Sequence, residues 1–172
     1  NMQDAWTQDY NVSVSGGNDK GKYYSSIGYY DESGFPLESG YKRLSFSLNG
    51  EYKIKSWLKA SGFVNFSRAE TNPNYMSDAN FWSVVPAAPP TFKGANLDGT
   101  VISLVNNNQN ANWNIMKDFY YRRNTAYRTT LGTSLNINLM KGLSLKINGM
   151  WYLWMKETES FDKEFPTAPD KL

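Results

Sequence analysis

Polar and apolar residues alternate along several stretches of this 172-residue chain, most clearly between Thr125 and Trp154. There Tyr127, Leu131, Leu135, Ile137 and Leu139 interleave with Arg128, Thr130, Ser134, Asn136 and Asn138; after Met140-Lys141-Gly142 the beat resumes with Leu143, Leu145, Ile147, Trp151 and Leu153. A period of two marks a strand with one apolar face. The glycine suits a tight reversal where φ turns positive. Both runs exceed the usual soluble strand of about five or six residues and reach the roughly nine to eleven that a tilted strand needs to cross a bilayer. Together they predict a transmembrane β-hairpin.

The same reading extends toward the start of the chain and predicts strands at about 10–16, 22–30, 42–54, 58–67, 125–139 and 143–154. Leu44, Phe46, Leu48, Tyr52 and Ile54 form one apolar stripe, and Leu58, Ala60, Gly62, Val64 and Phe66 form the next. The stretch 22–30 has tyrosines on both faces and is read as a strand from its hairpin context. Between these runs, connections are short at 16–21, 55–57 and 140–142, longer at 31–40 and very long at 68–123. Short and long alternate, as in outer-membrane barrels with tight periplasmic turns and long extracellular loops. The expected fold is therefore all-β, an antiparallel transmembrane β-barrel segment of six strands in three hairpins. The second, fourth and sixth strands run outward. Within the long loop a helical turn is expected near Ser77 to Val85, stopped by Pro86.

The aromatic residues suit this orientation. Tyr10, Tyr29, Tyr30, Tyr41, Phe66, Tyr127, Trp151 and Trp154 fall near the expected outer rim, and Trp57 falls at the inner one. Tyrosine and tryptophan favour membrane interfaces because one end of the ring is apolar and the other stays wet. Tyr29, Trp57, Tyr127 and Trp151 are the interface candidates. Arg43, Glu51, Lys53, Lys59, Arg128 and Lys146 are placed on the inward face, since charge toward lipid costs about 2–4 kcal/mol near the midplane. A soluble β-sandwich with tyrosines in its core accounts for the alternation equally well, but less well for the loop asymmetry.

Composition narrows the chemistry. Mean hydropathy is −0.60 although aromatics make up 16% of the residues, a pairing that fits a wall with lipid on one side and water on the other. No run of about 18 apolar residues provides a membrane-spanning helix. With neither cysteine nor histidine, the chain has no disulfide, no thiolate metal site and no Ser-His-Asp triad. Net charge is only +2 and the charges are mixed, so no nucleic-acid footprint is present. The opening Asn1-Met2-Gln3-Asp4 has no basic leader followed by an apolar segment, and the chain is read as an internal segment of a longer protein.

Two stretches resemble a known family. Asn11 to Lys20 (NVSVSGGNDK), followed by Tyr23 to Gly34 (YYSSIGYYDESG), is similar to the SGGN-containing stretch of the SusC/RagA family of TonB-linked outer-membrane proteins. Tyr41-Lys42-Arg43-Leu44, Trp57-Leu58-Lys59, the proline-rich loop with Asp98-Gly99, and Lys141-Gly142-Leu143 continue the resemblance in order. Where the family has N-W-x-D before this block, the present chain has methionine at position 2. The resemblance implies a barrel of roughly 22 strands around a plug domain. It further implies a SusD-like surface lipoprotein as partner, energy from the TonB system through the plug, and import of a glycan or peptide nutrient across the outer membrane. An iron-chelate receptor on the same barrel, and a secreted carbohydrate-binding β-sandwich, are the alternative functions.

Transport of this kind needs a grip on cargo rather than bond-breaking groups, and no catalytic constellation, cofactor or metal is expected. The candidate ligand-binding residues lie in the long loop: Trp82 and Trp113, with Tyr75, Phe81 and Asn112. Phe92, Asn80, Asn96 and Asp118 lie nearby in the sequence. Aromatic faces stack on sugar rings and amides bond to hydroxyls; the plainer reading is that these rings pack the loop over the barrel mouth. Asn96-Leu97-Asp98-Gly99-Thr100 is half of a calcium loop without its later bidentate glutamate, and reads as a turn.

Overall fold

The computed structural model describes residues 3–73, 97 and 120–162. They form one sheet of six strands: β1 (Thr7–Gly17), β2 (Gly21–Ser33), β3 (Gly40–Lys55), β4 (Leu58–Asn72), β5 (Tyr120–Met140) and β6 (Leu143–Asp162). Spatial order follows sequence order, and every pairing is antiparallel. The all-β, six-strand architecture expected from the alternation is what the chain adopts. Each strand runs beyond its expected limits, chiefly at the end away from the short turns. The cause is that backbone pairing continues after the apolar stripe stops: Tyr120 still opposes Asp162, and Thr7 still opposes Glu32.

The short turns are built from local chemistry. Between β1 and β2, Asn18 Oδ1 accepts hydrogen bonds from the Lys20 and Gly21 N–H groups, both at 2.9 Å, while its own N–H donates to the Gly21 carbonyl at 2.7 Å. A side chain on Gly17 would press on that carbonyl. The SGGN block thus closes β1 and enters a turn whose asparagine substitutes for missing backbone partners. Between β5 and β6, Gly142 takes φ +87°, the left-handed conformation that the reversal calls for. Neighbouring turns are tied together as well, with Asn138 N–H donating to the Trp57 carbonyl at 2.8 Å and Lys53 N–H to that of Lys20 at 2.6 Å.

At the opposite end, the β2–β3 connection is fastened to the residues before β1. Gln3 donates from its backbone N–H to the Phe35 carbonyl (2.8 Å) and from its side chain to that of Gly34 (2.9 Å).

Directly opposed residues in an antiparallel pair share a face. One face therefore reads, row by row, Val14-Ser25-Leu48-Val64-Leu131-Trp151 and Val12-Ile27-Phe46-Phe66-Thr129-Leu153. The other reads Ser13-Ser26-Ser47-Asn65-Thr130-Tyr152. On this second face the Phe63 ring lies over its cross-strand partner Gly132, filling the space where a Cβ would be.

Two outcomes are expected from this packing when the protein is reconstituted in lipid bilayers and unfolded by denaturant. Leu131→Arg, on the apolar face, is expected to lower stability by about 2–4 kcal/mol, whereas Thr130→Arg one residue away has a far smaller effect. Gly132→Val is expected to cost about 1–3 kcal/mol through collision with Phe63, and adding Phe63→Ala in the same molecule should recover part of that loss.

Candidate functional site: the two faces of the sheet

The apolar face is open. Val12, Ile27, Leu44, Leu48, Ile54, Leu131, Leu135, Ile147 and Trp151 are all exposed, and no second sheet lies over them among the described residues. The stripes from Leu44 to Ile54 and from Leu131 to Leu139, which a sandwich would bury, have no protein layer against them among the described residues. An apolar area spread over six strands is far larger than a soluble monomer leaves in water.

A charged row ends this area at the side away from the short turns. Asp31, Lys42, Glu70, Thr125 and Glu157 are register partners across five strands. Lys42 Nζ lies 3.3 Å from Asp31 Oδ2, which also accepts a 2.8 Å hydrogen bond from the Tyr29 hydroxyl. Glu70 takes Arg68 Nη2 at 3.0 Å and Arg123 Nε at 3.6 Å. Asp31 and Thr125, at 8% and 7% exposure, are the buried polar residues in this region. Exposed ion pairs stabilise little; their value here is that they mark where the apolar band stops.

Tyr29 and Tyr127 stand on the apolar face next to that row, in the same register line as Tyr10, Leu44, Arg68 and Met155. Trp151 is also on this face, two rows nearer the short turns. Trp57 occupies the β3–β4 turn at the other end and is exposed. Three aromatics expected at the outer rim point the other way. Tyr30, Tyr41 and Trp154 oppose Arg43, Glu32 and Arg128, so they lie on the polar face. The parity of their positions, rather than their height, decides this. Tyr30 and Tyr41 pack edge to face at 5.9 Å, Arg43 lies 5.7 Å over the Tyr30 ring, and the Tyr30 hydroxyl donates to Glu32 at 2.7 Å. This inward cluster near the mouth was missed because the aromatics were read as a belt.

The polar face is concave and encloses a trough of about 740 Å³ whose lining includes Lys22, Tyr24, Glu51, Phe63, Lys146 and Met150. Arg43, Glu51, Lys53, Lys59, Arg128 and Lys146 all fall on this face by register. Among the described residues no group of three or more acidic side chains is placed to hold a metal ion. The loop candidates Tyr75, Phe81, Trp82, Asn112 and Trp113 lie outside the described residues. So do the helical turn expected at 77–85 and most of the half calcium loop at 96–100.

No protein-family model matches the chain. Among curated proteins it is similar to TonB-dependent receptor P39 of Formosa agariphila, 36% identical over 50 residues covering 29% of the chain. It is also similar to TonB-dependent receptor P26 of the same organism, 26% identical over 78 residues covering 45%. The chain spans only 5% and 8% of those two proteins. Among solved structures it superposes on the RagAB peptide importer in its open-open and closed-closed states. The TM-scores are 0.70 and 0.69 at 23% identity, over 90% of this chain and 18% of the importer chain. The chain is thus similar over part of its length to TonB-dependent receptors and has the fold of a stretch of the RagAB importer.

Proposed function

We infer that the six strands form part of the wall of an outer-membrane transporter that imports a glycan or peptide nutrient. The observation that carries this is the division of one sheet into an open apolar face, ended by a charged row, and a concave polar face. Hydrocarbon covers the first and a passage runs along the second. In this reading Tyr29, Tyr127 and Trp151 meet the outer part of the bilayer and Trp57 meets the inner interface. A SusD-like lipoprotein delivers cargo at the rim of the long connections, and the TonB system supplies energy through a plug domain beyond these residues. The similarity to a peptide importer supports transport as the activity class.

Among the described residues β1 and β6 are each paired on one side only, and unpaired strand edges invite association. The expected outcome is that the full-length protein fractionates with outer membranes and leaves them only in detergent. A detergent-free, monomeric form of residues 3–162 that melts cooperatively would overturn the reading.

Trp82 and Trp113, with Tyr75, Phe81 and Asn112, are proposed to touch cargo or the lipoprotein lid. Replacing both tryptophans with alanine is expected to depress uptake while leaving the amount of protein in the membrane unchanged. Uptake at the parental rate would dismiss the assignment.

A further inference from the structure

Toward the end away from the short turns, the inward face carries three exposed cations: Arg43 on β3, Arg128 on β5 and Lys156 on β6. Arg43 and Lys156 share one row with Ala69 and Ala126 between them, and Arg128 lies in the next row between Ser67 and Trp154. The two alanines leave a low floor among longer cationic side chains. None of the three cations has an ion pair with a carboxylate among the described residues. From the Tyr41 row to the Tyr152 row, β3 to β6 place no aspartate or glutamate on this face. The inward acids of these rows, Asp9 and Glu32, stand on β1 and β2, and Glu32 already accepts the Tyr30 hydroxyl. The outward face of the same strands is the contrast: there Lys42 is matched by Asp31, and Arg68 and Arg123 by Glu70.

The second observation is what surrounds these charges. Tyr30 and Tyr41 stand on one side, and Trp154, 51% exposed, on the other. Ser45, Ser67, Thr71 and Asn124 supply hydroxyls and an amide between them. Flat rings, short hydrogen-bonding groups and cations are the means of holding a sugar chain that carries charge. An extended peptide gains most of its affinity by adding to a free sheet edge, and here β3, β4 and β5 are each paired on both sides. The Arg43–Lys156 row also lies level with the point where the outward apolar band gives way to its charged row, so the patch stands at the outer mouth of the wall.

We propose that Arg43, Arg128 and Lys156 receive an anionic glycan, with carboxylate or sulfate groups repeated along its chain. Arg43 and Lys156 are three strand spacings apart, about 14 Å, and Arg128 stands about 7 Å from their row along β5. One small anion does not span that width, whereas charges repeated along a single chain do. A concave wall of one sign also draws such a chain toward the mouth before contact.

The proposal rests on the transporter reading above and names the chemical class of its cargo. The intact transporter, purified in detergent from outer membranes, is tested by equilibrium dialysis against four labelled probes: hexagalacturonate, its fully methyl-esterified form, a sulfated galactan hexasaccharide and a hexa-aspartate peptide. One or both acidic sugars are expected to bind about tenfold more tightly than the neutral ester, and the better of the two tells carboxylate from sulfate recognition. The advantage is expected to shrink as salt rises. Substituting Arg43→Gln, Arg128→Gln and Lys156→Gln together removes it while the weaker affinity for the ester stays, and Lys53→Gln, nearer the short turns, leaves it intact. Should the triple variant be missing from the membrane, Arg128→Gln alone is expected to lessen the advantage. Equal binding of acidic and neutral sugars overturns the proposal, as does binding of none of the probes or of the peptide alone. An advantage that survives these substitutions overturns it too. Any of these results in protein that fractionates with outer membranes defeats this inference alone; protein that never reaches them defeats the transporter reading as well.

Discussion

In the hydrocarbon setting proposed for this sheet, a backbone N–H or C=O has no water to turn to, so every one must find a partner within the wall. Continuous antiparallel ladders meet that demand here along strands of 11 to 21 residues. Everything else in the sheet is arranged on top of that ladder. Because side chains alternate strictly, a single sequence writes two surfaces at once, and the register keeps six strands' worth of each in line. A slip of one residue in β4 would turn Leu58, Val64 and Phe66 inward and send Lys59, Asn65 and Ser67 outward.

The two surfaces end at different heights. On the outward side, the apolar stripe stops at the row from Asp31 to Glu157, yet the strands continue past it, held by backbone bonds and by side-chain pairs such as Thr158 with Asn124 at 2.8 Å. On the inward side the polar character is broken near β6, where Met150, Tyr152 and Trp154 replace serine and asparagine. The wall is uniform in its backbone and varied in its chemistry.

Much of this could be read from the residues. The stripes of β3 to β6 repeat cleanly enough to announce both the strands and their apolar faces, and Gly142 announces its own backbone conformation. The strand ends could not be read, because beyond the charged row residues are mostly polar on both faces, the Tyr121–Phe161 pair apart, and no period of two survives; the ladder from Tyr120 to Asn124 is visible only in its partners on β6. Tyr30, Tyr41 and Trp154 were read by height and not by parity, so their inward orientation emerged only with the register. The trough and the Tyr30–Tyr41 cluster are properties of rows that cross strands, and a linear reading has no access to rows. The loop aromatics from Tyr75 to Trp113 rest on sequence alone.

Five pairings hold the sheet, and four join strands separated by a few residues. The exception is β4 with β5, whose ends stand on either side of residues 73–119. Closing so long an excursion carries an entropic cost that rises only with the logarithm of its length, about 0.6 kcal/mol for each doubling. Insertions and deletions between those strands therefore barely weaken the seam that joins the halves of the sheet. Selection can lengthen, shorten or rewrite the excursion while the staves on either side stay as they are.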